Sequence, residues 1–318
     1  LIDKTYRAYI TFSGPDRVRY LNAILTNDIK SLTPGGSNIA LLLNPQGRIL
    51  AEIETYALPE RLFCVSYATI RARLIEWLDK YIIMDDVTLS DETEQFGTLG
   101  LEGPKTAEMV SELSATDFAA LPDASSLDIA IRNPESGGSA LPCRLSRRPA
   151  FSASSVAGAE FIAARKDLPA LWKILQGAAK KIGGGPMGYS ALSAQRLVQG
   201  VPWFGYDFGD KQIPHEAGLQ KSHISYTKGC YTGQEIVERV RSRGQVNRQR
   251  VRLRFADGAT AVPETGTPLT LDGAEVGFVT RAARSYFPPG IFAMGYARKE
   301  GTAAATILAC GGVSATVL

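Results

Sequence analysis

The chain has 318 residues, 45% of them apolar and 21% charged, with 35 Lys and Arg against 32 Asp and Glu. That length exceeds one ordinary core and predicts two or three domains, and the composition excludes a disordered chain. A formal charge of +3 is too small to argue for nucleic acid by itself, and no run of eighteen apolar residues exists to span a membrane.

The first residue is Leu1 and not Met, which leaves open whether an N-terminal segment was trimmed, and the residues present carry no signal-peptide pattern. In chain order, residues 7–32, "RAYITFSGPDRVRYLNAILTNDIKSL", predict a strand, a Gly-Pro turn and a helix. Pro15 suits a first helical position, and Val18, Leu21 and Leu25 recur at helical spacing. Residues 95–113, "QFGTLGLEGPKTAEMVSEL", repeat that plan about Gly103-Pro104, which suggests two related lobes with a break near 90–145.

Between them, residues 49–58 and 61–67 predict a hairpin about Pro59-Glu60. Ile70, Leu74, Trp77 and Tyr81 then trace an amphipathic helix. In the first strand of that hairpin, Ile49, Ala51, Ile53 and Ala57 share one face, and Glu52, Glu54 and Tyr56 the other. From the residues alone, two carboxylates and a phenol on one face predict a solvated surface; the alternative is the wall of a ligand cavity. "NPESGGSALP", 133–142, predicts a turn-rich surface loop. Gly183 to Gly188 are dense in glycine but lack the Lys-Ser/Thr pair of a phosphate loop, so they predict a turn ahead of a helix over 190–198.

Cys64, Cys143, Cys230 and Cys310 are far apart and form no C-x-x-C, which predicts reduced thiols in a cytoplasmic protein. His215 and His223 are the two histidines, too few for a metal site without scattered ligands, and no metal is predicted. Cys230 lies in "TKGCYTGQEIVERV", 227–240. Thr232 and Glu235 stand in the relation of a capping box, Tyr231 and Ile236 in that of a hydrophobic staple, and Ile236, Val237 and Val240 form one apolar stripe. Cys230 is therefore expected just outside a helix N-terminus and two residues from Lys228, a setting that favours a thiolate against the opposing Glu235 and Glu238. The alternative is a small buried apolar residue.

"RQRVRLRF", 248–255, alternates four arginines with Val251, Leu253 and Phe255, the pattern of a half-buried strand. "TPLTLDGAEVGFVTRA" predicts a hairpin about Asp272-Gly273, and the short strands after it predict a small β-barrel or sandwich beginning near 246. The basic stretch 239–254 could track an RNA backbone, but no aromatic residue interleaves to stack bases, and a solvated, charge-protected strand edge is the preferred reading.

"KGCYTGQE", 228–235, resembles the signature of the YgfZ family, whose members look like the glycine cleavage T-protein but serve iron–sulfur proteins. The resemblance runs along nearly the whole chain. "LTNDIKSL" and "LLLNPQGRIL" resemble the N-terminal T-protein pattern, and "GLEGPKTAEM" its second lobe. "PMGYSALSAQRLVQGVPWFGYD" with "IPHEAGL" resembles the stretch before the signature, and "AEVGFVTRA" the C-terminal barrel.

The resemblance implies an α+β, T-protein-like fold: two interleaved lobes over 1–245 and a small antiparallel barrel over 246–318, ringed about a folate pocket. It implies a tetrahydrofolate-binding accessory protein for assembly or repair of iron–sulfur clusters, with effects on enzymes such as those that thiolate tRNA. Its partners would be a reduced folate and iron–sulfur client or assembly proteins. By the same carry-over Cys230 is the reactive thiol, framed by Lys228, Gly229, Tyr231, Gly233, Gln234 and Glu235. Glu52 falls where the T-protein has its catalytic aspartate, and Tyr56 where a pocket aromatic stands, which favours the cavity reading of that strand face. The T-protein's "R-L-E-A-G" appears as Arg196 to Gly200, "RLVQG". Val198 replaces the glutamate that grips the pterin, so folate binding is expected to be weakened or to use Gln199 or Glu54 beside Arg196. The rival readings are a true aminomethyltransferase with Glu52 as its carboxylate, an RNA-binding module, and a cysteine–histidine protease using His215 or His223.

Overall fold

A computed structural model describes residues 1–132, 139–149, 157–244 and 246–318. Most of the loop expected at 133–142 lies outside the described residues. The chain divides into two compact units, one of Leu1–Ala40, Ala51–Gly188 and Ser225–Gly229, the other of Leu41–Leu50, Tyr189–Ile224 and Cys230–Leu318.

Strand β1 (Ile2–Asp3) and β2 (Arg7–Ser13) open the first unit, and α1 (Arg17–Ile24) comes after them. Next come β3 (Ser37–Leu43), β4 (Ile49–Ala57), β5 (Leu62–Tyr67), α2 (Arg71–Asp79) and β6 (Thr88–Asp91). The second lobe runs β7 (Phe96–Glu102), α3 (Thr106–Ser114), β8 (Ser125–Ile131), β9 (Leu141–Pro149), β10 (Ala157–Ala164) and α4 (Leu168–Lys181). Two five-stranded sheets result, in the orders β3-β4-β5-β2-β6 and β1-β7-β10-β9-β8.

The repeated strand–Gly-Pro–helix plan is present as β2–α1 and β7–α3. At the first turn Gly14 has φ +95°, and a Cβ there would stand 2.3 Å from the Asp86 carbonyl oxygen, so no other residue fits. Helix α1 begins after Asp16 as N-cap, which puts Pro15 in the turn and not at the first helical position expected from sequence. Met109, Val110 and Leu113 of α3, with Leu171 and Leu175 of α4, pack a shared core with Leu99, Leu145 and Phe161 of the sheet.

The second unit contains α5 (Tyr189–Gln199), α6 (Gln234–Arg243) and six strands: β11 (Arg248–Phe255), β12 (Pro268–Leu271), β13 (Ala274–Tyr286), β14 (Pro289–Arg298), β15 (Ile307–Cys310) and β16 (Val313–Val317). They close as a barrel in the order β11-β14-β13-β12-β15-β16. Asp272 and Gly273 both have positive φ, +50° and +82°, as a two-residue hairpin turn requires. Val251, Leu253 and Phe255 point into the barrel core with Leu269, Val279 and Val317.

Because the barrel closes, β11 is not an edge, and Arg248, Arg250 and Arg252 are half-buried, while Arg254 stays exposed beside Asp257 (3.1 Å). Arg248 donates to the Lys211 carbonyl (2.8 Å) and pairs with Glu216 (3.1 Å). Arg250 donates to the carbonyls of Ala217 (2.9 Å) and Gly200 (3.1 Å), and Arg252 to that of Val198 (2.7 Å). These bonds tie residues 198–217 to β11, which explains why the second unit takes in residues upstream of the 245/246 boundary expected from sequence.

Candidate functional site

Strand β4 carries Glu52, Glu54 and Tyr56 toward one face, and the expected solvated surface is not there. Glu54 is 4% exposed and Tyr56 is 0% exposed. The neighbouring strands supply the reason. Arg7 of β2 pairs with Glu54 (3.3 Å), as does Arg148 of β9 (3.2 Å), and the Tyr56 hydroxyl donates to Glu54 (3.1 Å) while accepting from Arg148 (3.2 Å). Glu160 of β10 accepts from Lys4 (2.8 Å) and lies 3.6 Å from Arg7, and Lys4 also pairs with Glu102 (3.0 Å). Three cations and three carboxylates thus share one buried network. Desolvation pushes the Glu160 carboxyl up, but Lys4, Arg7 and Arg148 together outweigh it and hold the group down at about 2. Burial likewise opposes the Lys4 ammonium, yet Glu160 and Glu102 keep it above the usual lysine range. Burial raises the Tyr56 phenol. The ligand-facing roles expected of Glu54 and Tyr56 therefore find both groups engaged within the protein.

Glu52 differs. It is half-buried, and the Tyr67 hydroxyl donates to its carboxylate at 3.0 Å. The Ser66 hydroxyl holds the Glu52 backbone carbonyl at 2.8 Å. Tyr67 is fixed in turn: its ring stacks on Tyr6 with centroids 6.2 Å apart, and the Arg7 guanidinium stands 5.2 Å from the ring centre. Sequence reasoning missed Tyr67, though the hairpin about Pro59-Glu60 held the signal. Extending the observed Glu54–Val65 register by two places brings Glu52 opposite Tyr67.

At the signature segment, the capping box is not formed. The N-cap of α6 is Gly233, with φ +81° and no side-chain capping bond, so Thr232 lies outside the helix and Glu235 in its first turn. The backbone explains this: a Cβ on Gly233 would meet the Asn44 carbonyl oxygen at 2.6 Å and the Leu43 side chain at 3.1 Å. The same approach puts Gly47 against Ile236, and Tyr231 is buried. Cys230 thus stands four residues before the first helical residue, Gln234. It is exposed, whereas Cys64, Cys143 and Cys310 are buried, which overturns the buried-residue alternative.

Lys228 is engaged at the C-terminal end of α1. Its ammonium donates to the backbone carbonyls of Asn22, Leu25 and Asn27, the last at 3.1 Å. Burial lowers this ammonium to about 8, opposed by the Asp28 carboxylate and aided by Lys30.

In the second unit, Arg196 is 2% exposed, lies 4.6 Å over the Trp203 ring and donates to the Pro202 carbonyl, while Gln199 is exposed. A buried pair that the sequence did not reveal stands nearby. Asp207, 1% exposed, accepts from Arg281 (2.5 Å), from Thr280 (3.1 Å) and from the Trp203 backbone N–H (2.8 Å). His223 is buried with its Nδ1 2.7 Å from the Ser222 hydroxyl, and burial lowers His215; no described bond joins either ring to Cys230. A cavity of about 290 Å³ in the first unit is lined by Phe63, Phe96, Ile129, Cys143 and Ile162 among others, and by none of the predicted site residues. Among the described residues no cluster of three or more His, Cys, Asp or Glu could hold a metal ion, and no helix is long and apolar enough to cross a membrane.

Comparison with known proteins adds four findings. The family profile of the GCVT N-terminal domain matches residues 1–224. The aminomethyltransferase of Rubrobacter xylanophilus is 26% identical over 285 residues, covering 90% of this chain and 72% of that protein. A chloroplastic protein of Arabidopsis thaliana, named as a transferase, is 27% identical over 94% of this chain, which spans 65% of its length. Among solved structures, the glycine cleavage system aminomethyltransferase T from Bartonella henselae superposes with a TM-score of 0.83 at 20% identity, covering 99% of this chain and 84% of that one. That likeness establishes the fold.

Proposed function

Because the chain belongs to the GCVT N-terminal domain family, we propose that it is a YgfZ-type member: a reduced-folate-binding relative of the aminomethyltransferases that serves assembly or repair of iron–sulfur clusters, with Cys230 as its working thiol. The observation that carries this reading is the exposure of Cys230, alone among four cysteines, within "KGCYTGQE". A structural thiol gains nothing from solvent, whereas a thiol that exchanges sulfur, metal or a disulfide with a partner needs access.

Tetrahydrofolate fits the predicted grip only in part. Tyr56, Glu54 and Arg196 are engaged inside the protein, and Glu52 is the residue of that set with a half-buried carboxylate on a fixed partner. Folate therefore has the role of a ligand beside Glu52, and no chemical step is assigned to it. The relatives' names favour a second reading, aminomethyl transfer, with Glu52 as the carboxylate. Of the arginines behind the RNA reading, Arg248, Arg250 and Arg252 are bonded to backbone carbonyls, whereas Arg239, Arg241, Arg243 and Arg254 are exposed.

Complementation of a null strain tests the first reading. Cys230→Ser is expected to keep its melting temperature and fail to restore iron–sulfur enzyme activity; full restoration overturns the proposal. Calorimetry with tetrahydrofolate tests the ligand, and robust methylenetetrahydrofolate production from an aminomethylated carrier protein would favour the transferase instead.

A further inference from the structure

Helix α1 ends at Ile24, and its C-cap residue Leu25 is already extended, with no basic residue in the last turn. The closing carbonyls of a helix have no partners within it and need donors from elsewhere. Here the donor comes from 201 to 206 positions along the chain: the Lys228 ammonium reaches the carbonyls of Asn22, Leu25 and Asn27. The turn is drawn around it by further bonds. The Ser225 N–H donates to the Thr26 carbonyl at 3.0 Å, and the Asn22 side chain accepts from the Ile29 N–H at 3.0 Å. The Asp28 carboxylate accepts from the Lys30 N–H at 3.0 Å, and the Asn38 amide donates to the Asp28 carbonyl at 2.7 Å.

An ammonium has three N–H donors, and three carbonyl oxygens converge on this one. Backbone carbonyls gathered in this way are the donor type that binds hard cations. We propose that Lys228 is a built-in cation: it fills a carbonyl cradle at the C-terminus of α1, fixes the turn Leu25–Ile29, and pins the chain two residues ahead of Cys230. Its part in the signature is that of a positioning residue and not of a thiol activator. The inference deepens the reading of Cys230 as the working thiol, but its geometry stands without it.

Amide hydrogen exchange on the full chain tests the cradle without folate or iron–sulfur partners, so failure of the functional reading leaves this result intact. In Lys228→Ala the amides from Thr26 to Ser31 are expected to exchange about tenfold faster or more, while core strands keep their protection. Methylammonium should restore protection by refilling the cradle; tetramethylammonium, with the same charge and no N–H, should not. Lys228→Gln, which retains two donors, should fall between and serves if the alanine variant does not fold. Alkylation of Cys230 by iodoacetamide should stay within about threefold of wild type. Unchanged turn protection, or equal rescue by both cations, overturns the proposal. So does a tenfold fall in Cys230 alkylation with the turn intact, which would make Lys228 an activator.

Discussion

Tyr67 and Glu52 show how much a single contact decides at the residue scale. A half-buried carboxylate on a strand face is ordinary; one held by a phenol that is itself stacked and flanked by a guanidinium is a fixed group. Tyr67→Phe keeps the ring and its stacking but removes the donor, so it should cost about 1 kcal/mol in urea denaturation. If folate binds beside Glu52, the same variant should weaken that binding by several-fold in calorimetry. Wild-type stability in Tyr67→Phe would mean that the hydrogen bond contributes nothing to holding Glu52.

The start of α6 is the instructive case among the elements. The sequence spelled a capping box at Thr232 and Glu235, but it also placed a glycine at 233, and the glycine prevailed. Its φ of +81° and the backbone of Asn44 beside it exclude any Cβ. Gly233→Ala should therefore destabilise by about 2–3 kcal/mol, the left-handed penalty plus a contact that backbone cannot relieve. Thr232→Ala should change stability by less than about 0.5 kcal/mol, because no cap bond exists to lose. Chemical denaturation of the two variants separates the two accounts of this helix; equal losses would restore the box. Strand β11 carries the same lesson from the other side. Its alternation was legible, and Val251, Leu253 and Phe255 do face the barrel core. Where Arg248, Arg250 and Arg252 went was not, because the carbonyls they reach lie 33 to 54 residues upstream.

Across the whole molecule, the buried ion network of the first unit sets the response to acid. The Glu160 carboxyl has an ordinary value of 4.5 and is held at about 2 when folded. A depressed carboxyl contributes stability that is complete above the unfolded value and is lost as pH falls from about 4.5 toward 2. The linked contribution is of order 3 kcal/mol, so the melting temperature should fall steeply across that window. Glu160→Gln should flatten the slope and, by leaving Lys4 and Arg7 short of a partner, cost about 3–5 kcal/mol at neutral pH. A slope unaltered in that variant would assign the acid response to other carboxylates.

The sequence by itself determined what is local or periodic. It held the two strand–Gly-Pro–helix repeats, the hairpins about Pro59-Glu60 and Asp272-Gly273, the inward face of β11, and a "KGCYTGQE" segment with a cysteine unlike the other three. Turn chemistry and side-chain period act between near neighbours, so one chain read in order reveals them. Tertiary structure alone decided which charges meet. Glu54 and Tyr56 became part of a core because Arg7 and Arg148 arrive on other strands, and Lys228 became a cap for α1 because the fold returns the chain to that helix. A buried charge is stable only beside a partner, and the partner's distance in sequence carries no trace in the local pattern.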